Sequence, residues 1–335
     1  MSEQVGLASV GLGWWGKELA TAVGSIDGAE IVSCFARGEE GRKAFADAFG
    51  CRPAESLDDL LADPAVDGVL LATSHESHRE MVERAAAAGK AIFIDKPLTT
   101  TVAEGLAAVE AAESAGVVLQ VGHQRRRTAA NRRIRQLIDE GRLGDIEGME
   151  GRQSIPNGFS MAADAWRWDK DQSPLGSMTS LGIHKIDSMR YHAGPVRAVS
   201  CMTRPGRNHP IDESTVLILE FESGALGTLF TSFFVPLVSE LSVYGQRAAA
   251  YASADGKRLH LQETGSMERT EIPLDPVDPV ADQLAEFAAC IRGEATPEVG
   301  GREGLEIVSI LQAAVESAAT GRRVDIADHR AVASR

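Results

Sequence analysis

Lys96 stands between Asp95 and Pro97, at the end of a short apolar run from Ala91 to Ile94. That run has the length and residue types of a buried parallel strand. The lysine therefore falls at a strand's carboxyl end, the edge at which open α/β sheets bind their ligands. Pro97 cannot donate to a ladder and keeps Lys96 out of the α region. A lysine held there can face a cofactor and a substrate, and with its pKa brought down it can take a proton from a hydroxyl. A second group is Gly11, Gly13 and Gly16, the spacing in which the first glycine makes a tight turn, the second lets a pyrophosphate approach the backbone, and the third packs a helix on its strand. The third group runs from Ser180 to Asp187. A helix beginning by Ser180 puts Ser180 and His184 four apart and His184 and Asp187 three apart on one face. Histidine close to lysine is a reasonable proton-transfer pair.

These groups need elements to hold them. Val5 to Val10 reads as a strand before the glycines, and Lys17 to Val23 as a helix after them, whose N-terminus offers N–H groups and a positive dipole end to phosphates. Trp14 and Trp15 in this loop are either packing residues or a border of the nicotinamide pocket. A second strand, Glu30 to Phe35, ends in Ala36 and Arg37, where an NAD enzyme commonly carries an acid for the ribose hydroxyls. Arg37 can pair with a 2′-phosphate, which leans the cofactor toward NADP; a solvated loop charge is the plain alternative. Gly68 to Thr73 is a further buried strand whose end presents Thr73 to the cofactor. Ser74 or Ser77 then caps a helix running to Ala88. His75 and His78 are three apart without a third metal ligand, so capping and surface roles are expected, with His78 able to approach the cofactor. A helix from Glu104 to Ala115 and a strand from Val117 to Val121 complete an alternation that specifies a doubly wound, mainly parallel sheet.

Arg125, Arg126 and Arg127 follow that last strand, and the domain junction is placed there: 1–122 for cofactor, 123–335 for substrate and oligomerisation. A solvated basic run is the ordinary reading of three arginines; at this sheet edge one or two can hold a substrate hydroxyl, a carboxylate or a cofactor phosphate. A helix from Asn131 to Glu140 precedes strand-like segments at 146–155, 196–203, 215–221, 226–234, 241–244 and 259–264, then two helices at 280–291 and 304–319. The second domain is therefore α+β, with a large, mainly antiparallel sheet.

Composition bounds the function. The 335 residues suggest about two domains, and a net charge of −14 argues against nucleic acid or an anionic membrane as the main partner. Four well-separated cysteines suggest neither a disulfide framework nor a zinc site, and no secretory signal or transmembrane run is visible, which makes a cytoplasmic protein the expectation. A resident metal is not expected.

Taken in order, Gly11-x-Gly13-x-x-Gly16, Asp95-Lys96-Pro97 and Gly182-Ile183-His184-x-x-Asp187 resemble the glucose-fructose oxidoreductase, inositol dehydrogenase and rhizopine-catabolism (Gfo/Idh/MocA) family. The resemblance implies an N-terminal Rossmann domain, a C-terminal mixed sheet whose open face often forms an oligomer interface, and NAD(P)-dependent hydride transfer on a secondary alcohol or ketone of a sugar, sugar derivative or cyclitol. It implies catalytic positions for Lys96 and His184, a substrate-contacting or supporting carboxylate at Asp187, and substrate-pocket segments at Arg125, Arg126, Trp166 and Arg167. Asp95 takes the place of the family's usual glutamate beside the lysine, on the cofactor side. Ser180 stands where many members carry an aspartate that contacts substrate, so the usual Lys-Asp-His relay is absent in that form. The alternatives to a sugar or cyclitol enzyme are a cis-dihydrodiol dehydrogenase of an aromatic acid, suggested by the arginines and tryptophans, and a dinucleotide-binding sensor without turnover. A homodimer or homotetramer is expected from a strand-rich domain with one uncovered face.

Overall fold

The computed structural model describes residues 4–162 and 164–333. It divides into two compact units. The first holds the chain up to Thr99, Ala103–Gly122 and Asp278–Leu305; the second holds Thr100–Val102, His123–Val277 and the chain from Glu306 on.

In the first unit, β1 (Val5–Val10), β2 (Ala29–Phe35), β3 (Arg52–Pro53), β4 (Gly68–Leu71), β5 (Ala91–Asp95) and β6 (Leu119–Gly122) alternate with α1 (Trp14–Val23), α2 (Glu39–Phe49), α3 (Leu57–Ala62), α4 (His78–Ala87) and α5 (Val102–Ala115). The strands pair in parallel in the order β3-β2-β1-β4-β5-β6, which reverses direction between β1 and β4. This is the doubly wound dinucleotide-binding topology, with its ligand crevice at that reversal. β1, β4 and the first four residues of β5 are buried throughout, which is why they read as unbroken apolar runs.

The remaining chain forms α6 (Ala129–Asp139), β7 (Ile146–Ser154), α7 (Ile183–Ala193), β8 (Val196–Arg204), β9 (Ser214–Phe221), β10 (Leu226–Ser232), β11 (Val238–Gly245), β12 (Ala248–Ser253), β13 (Arg258–Glu263), β14 (Thr270–Ile272), α8 (Pro279–Ile291), α9 (Gly301–Thr320), β15 (Val324–Asp325) and α10 (Ile326–Ala333). Nine strands make one sheet, β14-β13-β12-β11-β7-β10-β9-β8-β15, antiparallel except between β7 and β10. Its inner face packs Met149, Leu217, Leu219 and Leu229 against Ile134 and Leu137 of α6, Ile186 and Met189 of α7 and Ile310 of α9. Along β9 the alternation is strict: Leu217 and Leu219 point inward, while Val216 and Ile218 are exposed with Met202 of β8 and Leu226 of β10.

Three expectations are corrected. The assignment of 123–335 to a single second domain fails at Asp278–Leu305, which belongs to the first unit: Leu284, Phe287 and Ala288 of α8 share a core with Val5, Leu7, Leu19 and Phe93. Periodicity identifies α8 as a helix but not the surface it will bury against. β12 was not expected, because its run Ala-Ala-Ala-Tyr-Ala-Ser has weak strand propensity; pairing with β11 and β13 on both sides fixes it. Finally, Ser77 occupies the cap position of α4 without capping it, since its hydroxyl donates to the Ser74 carbonyl at 2.7 Å and accepts from the Thr73 hydroxyl at 2.8 Å.

Candidate active site

In the first unit the turn after β1 is shaped by backbone sterics. Gly11 has φ +92°, and a Cβ there would stand 2.3 Å from the Ala72 carbonyl oxygen. At Gly16 a Cβ would stand 2.0 Å from the Gly11 carbonyl oxygen, so helix and turn can approach this closely only with glycine at both positions. Gly13 differs: nothing lies within 4 Å of a Cβ built on it, so this backbone faces open space. It holds the cap position of α1, no side chain caps the helix, and the first intrahelical bond runs from Lys17 N to Gly13 O at 3.1 Å. The N–H groups of the first turn are thus left for a ligand, and the dipole makes that ligand anionic. These features fit the pyrophosphate of a dinucleotide. Trp14 is 74% exposed beside this turn, whereas Trp15 packs on the core and sets its indole against Asp95.

Lys96 lies where β5 ends, partly buried. The backbone after it is tied to the neighbouring strand end through His78, whose Nδ1 is 2.9 Å from the Pro97 carbonyl and 3.2 Å from that of Leu98, and whose Nε2 is 3.4 Å from the Thr73 carbonyl. A neutral imidazole has one N–H, so one of these two ring nitrogens donates to its carbonyl, the shorter distances lying on the Nδ1 side. Burial holds His78 below the usual histidine range, toward that neutral form. His78 and Thr73 therefore brace the lysine loop from the end of β4. Burial raises the Asp95 carboxyl against the opposing pull of Lys96 and His78. Arg37 is exposed at the end of β2 and its guanidinium makes no hydrogen bond or ion pair among the described residues. Sequence reasoning missed Arg42, which folds back from α2 to donate to the carbonyls of Ala36 at 2.7 Å and Arg37 at 3.2 Å and so shapes this loop. Its spacing from Arg37 gives no signal of that.

In the second unit, Met178–Gly182 is a π turn leading into α7. A π turn bonds five residues apart, so the four-residue spacing from Ser180 to His184 does not stack them on one face as an α-helix would. Both are buried, at 9% and 5% exposure. Asp187, one turn after His184, is fully buried, and Arg126 grips both of its oxygens, Nε at 3.0 Å from Oδ2 and a second nitrogen on Oδ1. The guanidinium also lies 5.2 Å from the ring centre of Tyr191, and His123 Nδ1 is 4.0 Å from Asp187. Although burial raises it, the charges of Arg126 and His123 leave the Asp187 carboxyl below its ordinary value. Asp187 thus takes the supporting position of the two expected for it, with Arg126 bonded to both of its oxygens beside the helix that carries His184. Arg125 pairs with Asp255, and the two line a small cavity within the second unit. Trp166 and Arg167 sit on one short turn, guanidinium 4.4 Å from the ring centre, with Arg167 exposed. His123 and Tyr191 were missed; His123 directly follows a strand end, the one available signal for it.

Among the described residues no three His, Cys, Asp or Glu side chains come together to hold a metal ion, and no helix is long and apolar enough to cross a membrane.

Residues 5–123 match the oxidoreductase family with NAD-binding Rossmann fold, and residues 131–251 match the GFO/IDH/MocA C-terminal domain. The chain is 28% identical over 311 residues to 1,5-anhydro-D-fructose reductase of Ensifer adhaerens, covering 89% of this chain and 92% of that one. It is also 28% identical over 355 residues to scyllo-inositol 2-dehydrogenase (NAD(+)) of Bacillus subtilis, covering 99% of each. Among solved structures, an oxidoreductase from Desulfitobacterium hafniense described as NADPH-dependent superposes with a TM-score of 0.94 at 27% identity, covering 98% of this chain and 99% of that one. With both domain models matched in order on this topology and this glycine turn, the chain belongs to the Gfo/Idh/MocA family of NAD(P)-binding oxidoreductases.

Proposed function

We propose that the protein moves hydride between NAD(P) and a secondary alcohol or ketone of a sugar, sugar derivative or cyclitol, with Lys96 and His184 handling the proton. The observation that carries this reading is Lys96 at the carboxyl end of β5, on the sheet edge that bears the open glycine turn, its loop braced by His78. A bound nicotinamide supplies the hydride acceptor or donor. The chain's own part is to take the hydroxyl proton on one of these two side chains and to orient the hydroxyl with the other. Ser180 adds a hydroxyl where a carboxylate would add charge. The relatives' names support a sugar or cyclitol substrate. NADP is favoured over NAD because the exposed Arg37 guanidinium is available to a 2′-phosphate.

A panel of sugars, cyclitols and dihydrodiols, followed by nicotinamide absorbance with NAD and NADP, tests the proposal. Turnover of one sugar or cyclitol supports it. Turnover of a dihydrodiol alone transfers the reading to that substrate class, and tight cofactor binding without turnover on the panel counts against it.

The exposed apolar residues Met202, Val216, Ile218 and Leu226 on one face of the mixed sheet support a homo-oligomer. Four free cysteines support a reducing, cytoplasmic location. Light scattering and fractionation of the source cells test these two statements.

A further inference from the structure

Lys185 follows His184 on α7 and is directed away from solvent, at 6% exposure. Its stem passes over β7, where a Cβ added to Gly151 would come within 3.4 Å of the Lys185 Cβ. The side chain lines a small cavity whose other walls include Arg125, Thr128, Asn131, Ser239 and Asp255. Every charged group around it belongs to the second unit, so the geometry is complete within that unit.

The hydrogen-bond accounting of this cavity does not close. Asp255 is the one carboxylate lining it, and both of its oxygens are engaged, Oδ1 by the Ser239 hydroxyl at 2.8 Å and Oδ2 by Arg125. Glu240, the next nearest acid, is paired with Arg152. Lys185 makes no hydrogen bond or ion pair with any described residue, and the Nε of Arg125 is buried without an acceptor. Two cations against one carboxylate leave one surplus positive charge, with N–H donors on two walls and only neutral hydroxyl and amide oxygens beside them. A buried cation in that state is strongly disfavoured unless a counter-ion completes it. The space accommodates a single particle of about water size, too small for phosphate, sulfate or a carboxylate metabolite.

We propose that this cavity is a halide site, in which one chloride ion accepts hydrogen bonds from the Lys185 ammonium and the Arg125 Nε–H and neutralises the surplus charge. The ion locks the start of α7, where His184 is carried, to the turns that bear Arg125 and Asp255. The inference rests on the second unit alone and is independent of the substrate assigned above.

Titration of Lys185 adds a signature. Burial and Arg125 bring its pKa down from 10.5 to about 8, with Asp255 and Glu240 opposing. His192, on the same helix, is held neutral by burial, down to about 3. Chloride is held by the ammonium, so binding is full below about pH 8 and is lost as the pH rises through that value.

The test is thermal unfolding of the full chain in sodium chloride, sodium bromide and sodium gluconate at matched ionic strength, at pH 7 and at pH 9.5. The expected result is a saturable halide-specific rise of about 3 °C at pH 7, smaller at pH 9.5 and absent in Lys185→Met, which removes the charge while keeping the stem's packing. An equal shift in Lys185→Met, or none in the unaltered protein, overturns the proposal. Bromide soaked into crystals of the unaltered protein decides the matter even where the variant fails to fold. An anomalous peak between Lys185 and Arg125 supports the site, and its absence identifies the occupant as water.

Discussion

The glycine turn of the first unit and the α7 region of the second prepare for a ligand by opposite means. At the turn after β1 the side chains have been removed: two glycines permit a close approach forbidden to any Cβ, and a third leaves bare backbone N–H groups facing open space. Around α7 the side chains are abundant, charged and buried, and their pairing choices decide which remain available; Arg126 is committed to Asp187, and Arg125 to Asp255. Backbone preparation tolerates few substitutions but is simple to recognise. Side-chain preparation depends on rotamers, and adjacent arginines of identical type take unrelated partners.

The largest effect is expected in the first unit at Lys96, the side chain proposed to act on the proton. Lys96→Met should lower turnover about 10²- to 10⁴-fold while leaving nicotinamide-cofactor titration and the melting temperature nearly unchanged. Rates in the oxidative direction should rise with pH whichever of Lys96 and His184 takes the proton, because only the neutral amine or imidazole accepts one.

In the second unit, Asp187→Asn leaves the Arg126 guanidinium buried without its counter-charge and should cost about 3–5 kcal/mol by denaturant unfolding. The sign in pH follows from the lowered Asp187 carboxyl: its stabilisation is present above the unfolded value near 4 and disappears as the pH falls through the still lower folded one. The variant should lack that acid step. Gly11→Ala should cost about 2–4 kcal/mol, from a left-handed φ and a forced contact with the Ala72 carbonyl, and should abolish cofactor binding in whatever fraction remains folded. Loss of binding with full stability would show that the turn is not rigid. The smallest effect is Arg37→Ser, expected to weaken NADPH binding by about tenfold, about 1.4 kcal/mol, and to leave NADH binding unchanged; equal weakening of both would assign Arg37 to adenine stacking instead.

The same contrast governs what could be read in advance. β1, β4 and β5 were legible because both of their faces are covered, which forces unbroken apolar runs. The turn was legible because only glycine satisfies it. Lys96 and His184 were legible as residues placed at a strand end and in a helical motif. The partners of Asp187 were not, since nothing in Arg125-Arg126-Arg127 records which guanidinium turns inward. Nor was the π turn at Met178–Gly182, whose composition does not differ from an α-helical start. The loop role of His78 lay between: its position after β4 was visible, but its carbonyl partners at Pro97 and Leu98 come from a tertiary contact nineteen and twenty residues away.

The return of α8 to the first unit bears on how the chain acquires its structure during synthesis. Val5, Leu7, Leu19 and Phe93 wait for Leu284 and Phe287 to close their core, across nearly 200 intervening residues. A ribosome adding roughly 5–20 residues per second leaves that apolar surface uncovered for some 10–40 seconds after β5 has emerged. Over this interval the strands of the second unit are being made beside an unfinished neighbour. A chain ending at Gly122 should therefore aggregate, and adding Asp278–Leu305 back as a separate peptide should restore its solubility.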